Sequence, residues 1–261
     1  MAKPPMQLLP VAQDLFTAFL VLLTPLISMR RTQQLRRCTS GEARITSYQF
    51  TIWKLWVSAA VAVLLAYPTN LNVLPDQEHV ATWLGAHLPV FLVAAVATTS
   101  FVIIGLRQGF RAMADAAWRK KVAKAVQTMR FMLPVSAKER RYWIMLSLSA
   151  GICEELLYRG FLMHYLSGLL AGGVALGVLG AWPVASTLFG LAHVYQGVAG
   201  VIRATIAGLL LGLIAILTGQ LILPILLHAL FDLQMLWMYR PVDDDPDIAE
   251  KLIQGCTPSE L

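Results

Sequence analysis

The sequence has 261 residues, 57% hydrophobic and 14% charged, with a formal net charge of +6 and a mean hydropathy of +0.63. Soluble domains are about a quarter charged, so this composition excludes an ordinary soluble domain and indicates an integral membrane protein. The apolar runs are helix-length and lack strand alternation, which excludes an outer-membrane barrel.

A transmembrane helix needs roughly 20 mostly apolar residues. In chain order, such runs cover about 12–29, 49–67, 83–106, 142–170, 174–195, 198–217 and 220–239. The expected fold is therefore all-α, a polytopic transmembrane bundle of about seven spans. Only Lys3 precedes the first run, "MRRTQQLRR" follows it, and no small-residue cleavage site is evident, so it reads as an uncleaved span.

Lys and Arg in the loops set the expected orientation. Loop 30–48 holds Arg30, Arg31, Arg36, Arg37 and Arg44, and loop 68–82 holds only the acidic Asp76 and Glu78. Loop 107–141 carries ten basic residues against Asp115 and Glu139. The first and third loops are expected in the cytoplasm and the second outside, with the N-terminus outside and the tail inside. The positive charge thus reports cytoplasmic loops facing a lipid bilayer, and no nucleic-acid partner is expected. Within the third loop Phe110, Met113, Ala114, Ala117, Trp118, Val122, Ala125, Val126 and Met129 recur at helical spacing, with Arg111, Arg119, Lys120, Lys121 and Lys124 on other faces. This pattern predicts an amphipathic helix in the cytoplasmic interface.

Six ionisable residues lie well inside the last four runs: Glu154, Glu155, Arg159, His193, His228 and Asp232. A charge at a helix centre costs roughly 2.5–3.5 kcal/mol on insertion scales, and such residues usually mark a functional site. Glu155 and Arg159 are four apart and pair within one helix. His228 and Asp232 are also four apart, so the carboxylate is placed to orient the imidazole. Glu154 is left without a helical partner. All three of Glu154, His193 and His228 are expected between mid-membrane and the cytoplasmic face, around a wet cavity. A carboxylate there is a base toward water, and a histidine shares the water or donates to an oxyanion. Together they cleave an amide without a Ser or Cys nucleophile. Glu154, His193 and His228 are equally a ligand set for a divalent metal such as zinc, although no HExxH helix is present. Both readings stay open at this point.

Other polar residues read as ordinary. Asp14, Lys54, His87 and Arg203 are expected near span ends, where side chains reach head groups. His164 falls on the face opposite Glu155. Trp53, Trp56, Trp83, Trp143 and Trp237 suit interfacial belts. The cysteines Cys38, Cys153 and Cys256 form no CxxC pair.

"EELLYR" fits EExxxR, "FGLAH" fits FxxxH and "HALFD" fits HxxxN/D, in that order and on separate hydrophobic segments. Over roughly 142–239 the chain resembles the CPBP intramembrane proteases, which include the CAAX prenyl endopeptidases and bacteriocin-processing or immunity proteins. Hydropathy and charge divide the chain into N-terminal transmembrane helices over 1–106, a basic cytoplasmic or interfacial segment over 107–141 and a cytoplasmic tail over 240–261, and the resemblance implies a catalytic transmembrane core over 142–239. It implies Glu154 as the water-activating base, Glu155 with Arg159 as its support, His193 holding the water and Phe189 packing beside the site at the substrate. His228 and Asp232 would take the oxyanion-stabilising position. Where the family has Asn, residue 232 is Asp, which donates no hydrogen bond when ionised; it either orients His228 or is protonated. The implied function is an intramembrane endopeptidase acting on a membrane-anchored or lipid-modified protein or peptide, in the inner membrane if the source is bacterial. The alternatives are a non-catalytic immunity or scaffold protein of the same fold, or an ion-coupled transporter.

Overall fold

A computed structural model of the protein describes residues 8–37, 40–66, 88–170 and 174–240. The expectations for His87, Trp83, loop 68–82, Cys38, Cys256 and the tail beyond 240 lie outside the described residues.

The fold is a bundle of α-helices, and no strand occurs among the described residues. Helix α1 covers 8–37, with a π-helical stretch at Phe19–Leu23, and α2 is Gly41–Ala66. Helix α3 is Leu88–Ala114 and α4 is Ala116–Ala125, followed by a 3-10 turn at Gln127–Met132. Helix α5 covers 137–169, with π geometry over Leu156–Leu162. Helix α6 is Val174–Ala192, α7 is Val198–Thr218, and α8 covers Ile222–Leu233 before a last turn at Met235–Met238. Each expected span therefore contains a helix. Leu9–Arg37, Gly41–Ala66 and Val198–Thr218 are each long and apolar enough to cross a membrane. Leu64, Val93, Ile206 and Leu226 are exposed on the outside of the bundle, the surface that acyl chains cover in a bilayer. The protein is an integral membrane helical bundle.

Local chemistry sets the ends. Ser136 caps α5: its hydroxyl accepts from the Glu139 N–H (3.3 Å) and donates to Glu139 Oε1 (2.8 Å), a variant of the capping box in which the glutamate takes the serine hydroxyl rather than its N–H. Glu139 Oε2 also accepts from the Val135 N–H (2.9 Å) and from Arg44 Nε (2.7 Å). Arg44, expected in a basic loop, is instead fully buried at the start of α2. This ion pair puts the first turns of α2 and α5 side by side. Gln49 donates to the Tyr142 hydroxyl (3.1 Å) and Trp56 to the Ser149 hydroxyl (3.0 Å), so the two helices run parallel in a fixed register. Trp56 is thus tied to a neighbouring helix as well as exposed. The two basic loops consequently lie at the same end of the bundle, as the charge pattern anticipates.

The amphipathic helix of the third loop is present but shorter than its pattern. Asp115 accepts from the Trp118 N–H (2.9 Å) and caps α4. That bond first, then the one from Arg111, holds its carboxyl below the ordinary value. A strong N-cap interrupts a continuous helix, so Phe110 and Met113 end α3 while Val122, Ala123 and Val126 pack under α4 against Leu133 and Tyr239.

Helix α5 lies at the centre. It packs along α2 on one side and α8 on the other, and its far end meets α6, which pairs with α7. A Cβ at Gly151 would stand 2.8 Å from Ala229 Cβ and 2.9 Å from the Ile225 carbonyl. Only the missing side chain lets α5 and α8 touch backbone to backbone there.

Candidate active site

Glu154 and Glu155 end the regular part of α5, one turn above Gly151. The π-helical stretch that follows is a rare geometry, often found at functional sites. Adjacent helical positions point about 100° apart, which sends the two carboxylates to different partners.

Glu155 is fully buried. Its Oε1 accepts from Arg159 Nη1 (2.8 Å) and sits 2.7 Å from His228 Nδ1. The expected pair within α5 is therefore present, and it extends across to α8. Arg159 also donates to the Gly208 carbonyl of α7 (3.2 Å) and lies over the Phe189 ring, 4.6 Å from its centroid. One guanidinium thus joins α5, α6 and α7, and one carboxylate joins α5 to α8.

The local pairing of His228 with Asp232 is not what orients the imidazole. Asp232 Oδ2 stands 3.9 Å from His228 Nε2, beyond hydrogen-bond length, whereas Glu155 holds Nδ1. Spacing along one helix identified the i,i+4 neighbour; helix packing supplies a closer carboxylate from another element. The Asp232 carbonyl accepts from Trp143 Nε1 (3.1 Å), which fixes that turn of α8 to α5. Trp143 is therefore a tie between helices.

His193 ends α6. Its ring Nδ1 lies 2.8 Å from the Phe189 carbonyl, so Nδ1 carries the proton and Nε2 is turned inward. The chain then reverses through Val194–Gln196 and Gly197, whose φ of 80° with ψ 178° is essentially a glycine conformation. Phe189 is buried, its ring 4.7 Å from that of His193 and 5.0 Å from that of Tyr158. It forms a wall behind the site.

The structure brings Glu154, His193 and His228 together. Glu154 Oε2 is 4.0 Å from His193 Nε2 and 3.8 Å from His228 Nε2. That oxygen is buried, although the side chain is partly exposed, and it has no hydrogen-bond partner among the described residues. Those separations are too long for direct hydrogen bonds and suit one bridging water, which reaches about 2.8 Å to each neighbour. Both imidazoles also turn Nε2 inward while Nδ1 is held by a carbonyl or a carboxylate, the second-shell pattern of metal ligands. The donor types therefore fit zinc. Adjacent ligands of a tetrahedral zinc lie ~3.3 Å apart, so these donors close by roughly half an ångström around a metal, and no ready cluster of three exists among the described residues.

These groups line a cavity of about 510 Å³ that runs from Glu154 to Met132 and Leu133 at the basic end. Its wall includes Lys54, expected at a span end but found midway along α2. Asp14, by contrast, accepts from Tyr165 near the opposite end (2.5 Å). His164 is not among the lining residues.

Sequence reasoning missed three features. The Glu155–His228 and Arg44–Glu139 pairs join residues far apart in the chain and leave no local spacing signal. The Ser136–Glu139 capping box was legible as S-x-x-E before an apolar run.

No curated protein and no solved structure matches the chain. Residues 137–234 match the family model described as type II CAAX prenyl endopeptidase Rce1-like, in agreement with the resemblance of the three motifs to the CPBP and CAAX proteases.

Proposed function

We propose that the protein is an intramembrane endopeptidase that hydrolyses a peptide bond of a membrane-anchored or lipid-modified protein or peptide. The observation that supports it most directly is the unpartnered Glu154 Oε2, buried opposite two inward-facing imidazole nitrogens.

In this reading a water sits between Glu154 and His193. Glu154 takes a proton from the water as the oxygen attacks the carbonyl carbon. His193 accepts a hydrogen bond at Nε2 and aims the water. His228, with Nδ1–H held by Glu155, carries a second proton at Nε2 beside two carboxylates and donates it as a hydrogen bond to the developing oxyanion. Protonated Glu154 then passes its proton to the leaving amine, and the carbon–nitrogen bond breaks. Glu155 and Arg159 position His228, Asp232 adds negative charge beside its Nε2, and Phe189 keeps the rear of the site dry. Zinc held by Glu154, His193 and His228 would supply Lewis acidity toward water or a carbonyl oxygen.

The cavity leads to the end that carries the basic loops, so the site opens to the cytoplasm under the positive-inside rule. The α4 helix lies at that end. The test compares the termini of membrane proteins in cells that carry the wild-type chain or Glu154→Gln. A product terminus present with wild type and missing with the variant is expected, and identical terminal proteomes overturn the reading.

A further inference from the structure

Lys54 lies midway along a membrane-spanning helix and lines the same cavity as Glu154, whose negative charge acts on it from beyond ion-pair distance. Among the described residues its ammonium donates to the neutral Ser28 hydroxyl of α1 (3.2 Å). Placing a lysine at such a depth costs roughly 2.5–3.5 kcal/mol, and an ion pair with a carboxylate is the usual compensation. None of the described residues supplies one within ion-pair distance. The ammonium carries three donors, and Ser28 accepts from one of them.

Its position is set by the parallel register of α2 and α5. With Gln49 beside Tyr142 and Trp56 beside Ser149, Lys54 is level with Ser147, which also faces the cavity. Glu154 is two turns further along α5, ~10 Å at 1.5 Å per residue. An extended peptide covers that distance in about three residues. The wall around Lys54 is rich in hydroxyls: Thr24 and Ser28 from α1, Ser47 and Thr51 from α2. These helices lie outside the stretch that matches the protease family, 137–234, so that match assigns nothing to them.

We propose that Lys54 binds a carboxylate of the substrate about three residues from the bond attacked at Glu154. This rests on the peptidase reading above. The carboxylate is either a free C-terminus or an acidic side chain, and Ser28 steers the ammonium toward it. Lys54 is a specificity residue that touches the substrate away from the reacting atoms.

The experiment uses the full chain in proteoliposomes with fluorogenic peptides carrying an S-farnesylated cysteine followed by three residues. Each is made as the free acid, as the C-terminal amide, and as the amide with a terminal glutamate. A charge-assisted hydrogen bond of ~1.5 kcal/mol corresponds to about tenfold, so the wild type is expected to prefer acid over neutral amide by about tenfold in kcat/KM. In Lys54→Met that preference collapses toward one, mainly through KM, and Lys54→Arg restores it. Cleavage of the glutamate amide at the rate of the neutral amide identifies the free C-terminus as the source; cleavage at the rate of the acid shows that a side chain serves too. A preference that survives in Lys54→Met, or an equal fall for all peptides, overturns the assignment and leaves the Glu154 reading standing. Absence of any Glu154-dependent cleavage, in this panel and in the terminal proteome, overturns both.

Discussion

Glu155 does more at the residue scale than brace its neighbour. One oxygen serves Arg159 and His228 together, at 2.8 and 2.7 Å, and the side chain is shut off from solvent. Removing a buried charge strands both partners, which costs about 3–5 kcal/mol for a buried pair. Glu155→Gln is therefore expected to destabilise the bundle and to lower kcat by about 10–100-fold, the usual toll of losing a group that orients a histidine. Asp232 is half-exposed and 3.9 Å from the same ring, so Asp232→Ala is expected to cost less than Glu155→Gln in both respects. Thermal unfolding in detergent and single-turnover cleavage measure the two. The reverse order would show that the intrahelical carboxylate orients the ring. From the sequence, Glu155–Arg159 and His228–Asp232 looked equivalent because both are four apart. The first is a bonded pair, and the second is not, because α8 turns Nδ1 toward α5.

Helix contacts decide at the next scale whether these side chains meet. Gly151 is one helical turn from Glu155, where α5 touches the backbone of Ala229. Adding one methyl there places carbon 2.9 Å from a carbonyl oxygen and 3.0 Å from a backbone nitrogen, and neither yields without moving a helix. Overpacking of this sort costs roughly 1–3 kcal/mol, and the strain falls on the Glu155–His228 bond. Gly151→Ala is expected to keep its far-ultraviolet circular dichroism and lose most of its activity. Among the described residues no atom lies near the would-be Cβ of Gly168, and Gly168→Ala gains up to ~1 kcal/mol of helix propensity, so it serves as the matched control. Equal activity in the two variants would separate the α5–α8 contact from catalysis. The spans themselves were legible because a bilayer imposes length and apolarity on each helix independently. The break at Asp115 was less so, because the apolar stripe on either side keeps the same helical period.

Across the whole molecule, the matched stretch supplies Glu154, His193 and His228, while α1 and α2 supply the opposite wall of the cavity. The convergence of the three groups was readable, since each is costly in lipid and pays only by facing inward. The joint between the two halves was not, since Arg44 looked like one more loop cation and its partner lies 95 positions away. Glu139 precedes the span that begins near 142. Burial pushes its carboxyl up, but hydrogen bonds from Arg44, the Val135 N–H and Ser136, with the Arg44 charge, outweigh that and hold it below its usual 4.5. A carboxyl whose value is lowered by folding adds stability that is fully present above pH ~4.5 and is lost as pH falls through the folded value. Acid is therefore expected to weaken the tie between α2 and α5. Thermal unfolding in detergent is expected to hold its midpoint temperature down to about pH 4.5 in the wild type and to lose it below that. Glu139→Gln, lacking this proton, is expected to start lower by about 3–5 kcal/mol and to fall less steeply over the same range. Parallel pH curves for the two proteins would mean that the Arg44–Glu139 pair does not join the N-terminal helices to the core.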